Sequence, residues 1–134
     1  MRDIDVKEVT RAVAECCIDS CNNLPEGVLK KLEAARKEEI SPLGCQVLDT
    51  IIENATLANK KQVPLCQDTG LTVVYIDIGQ EVHFTGGDLW EAIHAGVAKG
   101  YTEGYLRKSS VDDPVFLRKN TQDNTPAIIH CRIV

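Results

Sequence analysis

Aromatic side chains are scarce in this chain: one Trp, three Tyr and two Phe among 134 residues. So few rings leave little for the stacking platforms that hold single-stranded nucleic acids. Basic charge is short as well, 15 Lys plus Arg against 20 Asp plus Glu, and the resulting net charge of −5 argues against a nucleic-acid partner. No apolar run approaches the roughly 18 residues of a membrane span. The start, Met1-Arg2-Asp3-Ile4-Asp5, lacks the apolar stretch of an export signal. Walker loops, nucleophile elbows and dinucleotide fingerprints are missing too. What remains is 43% apolar and 26% charged residues, an ordinary globular composition. The length fits one domain over residues 1–134, expected to be soluble and cytoplasmic.

Six cysteines are many for this length, yet no Cys-x-x-Cys pair exists to mark a zinc ribbon or a thioredoxin-type site. With no export signal, a disulfide framework is not expected either. Cys16, Cys17, Cys21, Cys45 and Cys131 are therefore expected as core or near-core thiols.

The first half reads as three helices. Val6, Val9, Val13 and Cys16/Cys17 recur at three- and four-residue steps, closed by Asn22-Asn23 and Pro25. A second helix opens at Pro25 and turns Val28/Leu29, Leu32 and Ala35 inward, with its charged residues solvated. Ser41-Pro42 reads as N-cap and first turn of a third, with Cys45, Leu48, Ile52 and Ala55 on one side and Lys60 and Lys61 at the negative end of its dipole.

Past Val63-Pro64 the character changes. The β-branched run Leu71-Thr72-Val73-Val74-Tyr75-Ile76-Asp77-Ile78 predicts a buried strand, and Glu81-Val82-His83-Phe84 a short partner for it. Gly86-Gly87-Asp88 opens a helix with Leu89, Ile93 and Val97 as apolar positions. Its Gly96, Gly100 and Gly104 leave one edge without side chains, which invites close approach by another backbone. Residues 106–126 are polar and rich in turn formers, a length at which a connection is usually either functional or disordered. Strand character returns at residues 127–134 and the chain stops there, which suggests a fragment of something longer. The fold class expected is mixed α/β (α+β): a helix-rich N-terminus, then strands packed with the glycine-edged helix.

Two places could carry chemistry. Pro64-Leu65-Cys66-Gln67-Asp68-Thr69-Gly70 sets a thiol, an amide, a carboxylate and a hydroxyl side by side at the entrance to a strand. The same Asp and Thr before Gly also serve ordinary turn hydrogen bonds. Arg107 opens the long polar segment, where a planar guanidinium suits bidentate capture of a carboxylate, or is simply a surface cation. His83, His94 and His130 stand at no metal-ligand spacing, and His94 reads as a packing residue.

Taken together, the Cys66-Gln67-Asp68 segment, Gly100-Tyr101 with Gly104-Tyr105-Leu106-Arg107-Lys108-Ser109, Asp113-Pro114, and Arg118-Lys119-Asn120-Thr121 with Asp123-Asn124-Thr125-Pro126-Ala127 resemble the α-subunit of class I fumarate hydratases. The L-tartrate dehydratase α-subunit shares the pattern more loosely. The resemblance runs from the first helix to the last residue and identifies the chain as similar to the N-terminal portion of such a subunit. It implies an iron–sulfur hydro-lyase that reversibly hydrates fumarate to L-malate. Its 4Fe–4S cluster takes three cysteines, of which Cys66 matches the first; the other two would lie beyond Val134, so this chain alone is expected not to hold the cluster. Gln67, Asp68 and Arg107 match substrate-binding positions, and Asp68 also a position where a carboxylate passes a proton. Implied partners are a small dicarboxylate, the remainder of the α-subunit and a β-subunit or β-domain in an oligomer, with no nucleic acid and no membrane. Tartrate dehydration and a non-catalytic assembly domain stand as the alternatives.

Overall fold

The computed structural model of the chain describes residues 1–66 and 70–134. The elements run β1 (Arg2–Asp5), α1 (Val6–Asn22), α2 (Glu26–Glu38), α3 (Pro42–Lys61), β2 (Val73–Ile78), β3 (Val82–Thr85), α4 (Leu89–Glu103) and β4 (Ile128–Ile133). They fall into two compact units, residues 1–18 with 68–134, and residues 19–67.

In the first unit β1 pairs in parallel with β3, Arg2 opposite Val82 and Asp5 opposite Thr85, while β2 pairs in parallel with β4, Val73 opposite Ile128 and Ile78 opposite Ile133. The sequence reading expects β3 to partner β2. The structure instead gives β3 to β1, a strand that the short Arg2-Asp3-Ile4-Asp5 run was too polar to announce. After β3 the chain turns at Gly86, whose φ of +84° favours glycine and where a Cβ would stand 3.0 Å from Asp5 Oδ1.

Burial along β2 is also a correction. The apolar run predicts a strand covered on both faces, but its residues alternate between exposed and half-buried. The reason lies in the pairing register. Val73, Tyr75 and Asp77 share one face with Ile128, His130 and Arg132, and that face is exposed. There Tyr75 stacks on His130 with ring centroids 4.9 Å apart, and the Arg132 guanidinium forks onto Asp77.

The core of this unit gathers on α4. Ile93 and Val97 are fully enclosed, joined by Leu89, Ala92, Tyr101, Val6, Ala14, Cys17, Leu106 and Ala127. Asp88 caps α4, its carboxylate accepting from Glu91 N at 2.9 Å. The glycine edge faces α1: a Cβ on Gly96 would stand 2.7 Å from Thr10 O, and one on Gly100 2.9 Å from Ala14 O. Bare backbone is what lets the two helices approach this closely.

The second unit holds the end of α1 with α2 and α3. Ser41 caps α3 through Gly44 N, with Pro42 in the first turn and Lys60 and Lys61 in the last. Cys45, Leu48 and Ile52 are half-buried and Ala55 buried, the side the spacing predicts. Ala55, Ala58 and Leu65 form the core, with Leu24 and Leu29 against it. α2 is a correction: none of its residues is fully buried, and Val28 and Ala35 are exposed. It is fastened at its surface by the Arg36 guanidinium on both oxygens of Asp49, at 2.6 and 2.9 Å.

The cysteines divide. Cys17 is buried and Cys21 and Cys45 are half-buried, as expected, but Cys16 and Cys131 are exposed. Cys16 precedes the buried Cys17 by one position on a helix whose period turns it outward. Cys131 sits on a strand most of whose residues are exposed.

Candidate functional site

Cys66 is positioned by the ending of α3. Gln62, with φ 51° and ψ 53°, closes the helix in a left-handed cap. The chain then returns so that Leu65 N donates to Cys21 O at 2.8 Å, with the Leu65 side chain buried on Ala55 and Ala58. One residue on, Cys66 N donates to the Asn54 Oδ1 at 3.0 Å. A buried leucine and an α3 amide thus fix the backbone of Cys66, and its side chain is exposed. Gln67 and Asp68, the next two residues of the motif, lie outside the described residues.

Arg107 follows α4. Gly104 ends the helix, Tyr105 takes a positive φ of 53°, and the Leu106 side chain is buried while its N–H donates to Tyr101 O at 3.1 Å. Arg107 is then exposed, and no hydrogen bond or ion pair holds its guanidinium among the described residues. A planar guanidinium at this position can take a carboxylate.

The polar segment after Arg107 is an ordered structure without helix or strand, and its centre is a residue that sequence reading missed. Asn124 is fully enclosed, with φ 63°. Its Oδ1 accepts from Ser109 N at 2.8 Å, Ser110 N at 3.0 Å and Ser110 Oγ at 3.0 Å, and its Nδ2 approaches Gly70 O at 3.4 Å. The signal available in the sequence was the Asp123-Asn124-Thr125-Pro126 run. Asn is the non-glycine residue most at ease in the left-handed region, and its side chain can replace backbone partners in a turn. Nearby, Asp113 accepts from Val115, Phe116 and Leu117 N–H, which holds its carboxyl below the usual range, the Phe116 N–H contributing most. Val111 bridges Asn120, and the Thr125–Pro126 bond is cis.

His94 has the packing duty expected of it: its Nδ1 accepts from Ala127 N at 3.2 Å, which leaves the ring proton on Nε2 in the neutral form. It borders a polar recess of about 470 Å³ shared with Asp112, Lys119, Asn120, Thr121 and Thr125.

A metal cluster needs several soft donors in one place. Among the described residues no three His, Cys, Asp or Glu side chains gather to hold a metal. Cys66 fits a share in such a site: it is one exposed thiol on a backbone fixed by hydrogen bonds. No helix of the described residues is long and apolar enough to cross a membrane.

Comparison with known proteins gives this arrangement its class. Residues 10–134 match the family model described as fumarate hydratase (Fumerase), and the chain belongs to that family. Over 105 residues it is 37% identical to a Methanocaldococcus jannaschii protein provisionally named L(+)-tartrate dehydratase subunit alpha, covering 78% of this chain and 37% of that one. It is 27% identical over 123 residues to the L(+)-tartrate dehydratase subunit alpha of Escherichia coli K12, covering 90% of this chain and 40% of that one. A Geobacillus stearothermophilus protein provisionally named fumarate hydratase class I is 28% identical over 120 residues, or 89% of this chain and 23% of its own length. The chain therefore spans well under half the length of these relatives.

Proposed function

We propose that this chain is the N-terminal part of the α-subunit of an iron–sulfur hydro-lyase that reversibly hydrates fumarate to L-malate, working in the cytoplasm. The observation that carries the reading is the Cys66 thiol, exposed on a backbone fixed by Asn54 and directly preceding Gln67 and Asp68, in a chain of the fumarate hydratase family. The partners are the remainder of the α-subunit and a β-subunit or β-domain, in an oligomer; two of the relatives carry the name subunit alpha.

In this reading Cys66 is one of three thiolates that hold a 4Fe–4S cluster, the other two coming from outside the chain. When bound, the cluster supplies a Lewis-acidic iron for the hydroxyl and one carboxylate of the substrate. The chain's own residues bind and move protons. Arg107 takes a substrate carboxylate in its planar fork. Gln67 donates its amide N–H to carboxylate oxygen. Asp68 accepts a proton when malate is dehydrated and returns it on hydration.

A second reading has support of its own. The M. jannaschii relative, at 37% identity, bears a tartrate dehydratase name, whereas the class I fumarate hydratase relative stands at 28%. Tartrate differs from malate by one hydroxyl, so both readings use the same carboxylate-binding residues.

The test is anaerobic reconstitution with iron and sulfide, on the chain alone and on the chain coexpressed with the rest of its α-subunit and its β-subunit. The assembly gains a cluster and hydrates fumarate; the chain alone retains no four-iron cluster. In the assembly Cys66→Ser loses cluster and turnover together. A full cluster spectrum in that variant, or four irons on the chain alone, overturns the shared-cluster assignment. Faster turnover of L-tartrate than of malate selects the second reading.

A further inference from the structure

We infer that Asn124 is the positioning residue that ties the two substrate-binding segments of this chain to each other, an inference that rests on the hydro-lyase reading above. Its Oδ1 faces two backbone N–H groups, Ser109 and Ser110, and the Ser110 hydroxyl. Backbone N–H groups only donate, so the side-chain atom facing them must be the oxygen. The amide therefore cannot be flipped, and Nδ2 is the atom presented to the Gly70 carbonyl at 3.4 Å. Asn124 is completely enclosed, so water does not stand in for these partners.

The placement gives the contacts their consequence. Ser109 and Ser110 follow Arg107 in the chain, and Gly70 follows Gln67 by three residues and Asp68 by two. One planar amide thus holds the backbone at Ser109, two residues past Arg107, and meets the backbone at Gly70, two residues past Asp68. Arg107 lies outside helix and strand, where geometry is held by hydrogen bonds and not by an element's ladder. The two ends of the amide also do separable jobs: the acceptor holds the Arg107 side, the donor the Gly70 side.

Asn124→Asp separates them, because a carboxylate keeps the acceptor and loses the donor. In the assembled enzyme, with kcat expressed per bound cluster, Asn124→Asp lowers kcat at least tenfold and leaves KM within about threefold. Asn124→Gly, which suits the left-handed backbone but removes both ends, lowers kcat and raises KM together. A merely structural residue would reduce the amount of folded enzyme and leave both constants per cluster unchanged; that result overturns the proposal. The tie is also read on the 134-residue chain without activity, which covers the case that neither variant folds. Asn124 side-chain amide protons exchange slowly in the wild type, and the Gly70 carbonyl-carbon NMR signal moves in Asn124→Asp. Solvent-rate exchange of those protons overturns the tie. Protected Asn124 protons with no turnover by the wild-type assembly instead overturn the hydro-lyase reading and, with it, the positioning role.

Discussion

The Thr10 hydroxyl in α1 donates to the Ala92 carbonyl of α4 at 3.0 Å, a contact that only helices in very close approach can make. One turn along, Gly96 presents bare backbone to Thr10 O and to the Val13 side chain, and Gly100 does the same to Ala14 and Cys17. Alanine is the better helix former by roughly 1 kcal/mol. In Gly96→Ala and Gly100→Ala that gain is overridden, because the added carbon would stand 2.7–2.9 Å from backbone oxygens that cannot rotate away. Each is expected to lose about 1–3 kcal/mol, the usual cost of overpacking. Gly27 in α2 is the control: nothing lies within 4 Å of its added Cβ. Gly27→Ala is expected to stabilise by roughly 0.5–1 kcal/mol. Urea midpoints of the three variants check the contrast.

The thiols give an expectation on reactivity. Cys16, Cys66 and Cys131 are exposed, Cys17 is buried, and burial pushes the half-buried Cys21 thiol up. Brief alkylation by iodoacetamide near neutral pH, followed by peptide mass spectrometry, should label the first three ahead of Cys21 and Cys17. Cys17→Ser puts a hydroxyl into the α1–α4 core and should cost about 1–3 kcal/mol. Cys16→Ser, on the exposed side, should stay within roughly 0.5 kcal/mol of wild type.

These cysteines show where sequence periodicity carries and where it stops. The stripe Val6, Val9, Val13 and Cys17 defines α1, and Gly96, Gly100 and Gly104 announce a close backbone neighbour, because helical spacing is a local property. Which element fills that edge is not local, and spacing does not name α1. Strand pairing is less legible still: β1 joins β3 and β2 joins β4 across separations of about 80 and 55 residues, which no short-range pattern encodes. At the proposed site, Cys66 and Arg107 stand out in the sequence as candidates through the family motifs that carry them; their chemistry alone reads equally as a turn and a surface cation. Asn124 does not stand out, since a buried asparagine and a surface turn asparagine read alike until their partners are known.

Asp113 supplies a pH expectation. Three backbone N–H groups hold its carboxyl below the ordinary value, so the folded pKa lies beneath the unfolded one of about 3.9. A depressed carboxyl contributes stability that is present above the unfolded pKa and lost as pH falls through the folded pKa. Protection of the Val115, Phe116 and Leu117 amides against hydrogen exchange should therefore hold from pH 7 to about 5 and decline below about 4. Asp113→Asn should show reduced protection at pH 7 and no such decline. Amide protection factors measured across that range decide it, and a flat wild-type profile would show that the carboxylate does not hold the turn.

The last expectation separates binding from proton transfer in the proposed site. Arg107→Lys keeps the charge and loses the planar fork, so capture of a substrate carboxylate weakens and KM rises, with a smaller loss of kcat. Asp68→Asn keeps size and hydrogen-bonding capacity but cannot exchange a proton. Its kcat should fall by roughly 10²–10⁴-fold, the range for losing a general acid–base group. The cluster spectrum should be unchanged in both, since neither residue is proposed as an iron ligand. Steady-state kinetics on the assembled enzyme, each variant normalised to its iron content, separates the two roles. A near-wild-type kcat for Asp68→Asn would reduce that carboxylate to a turn-forming residue and move the search for the proton carrier to the partner subunit.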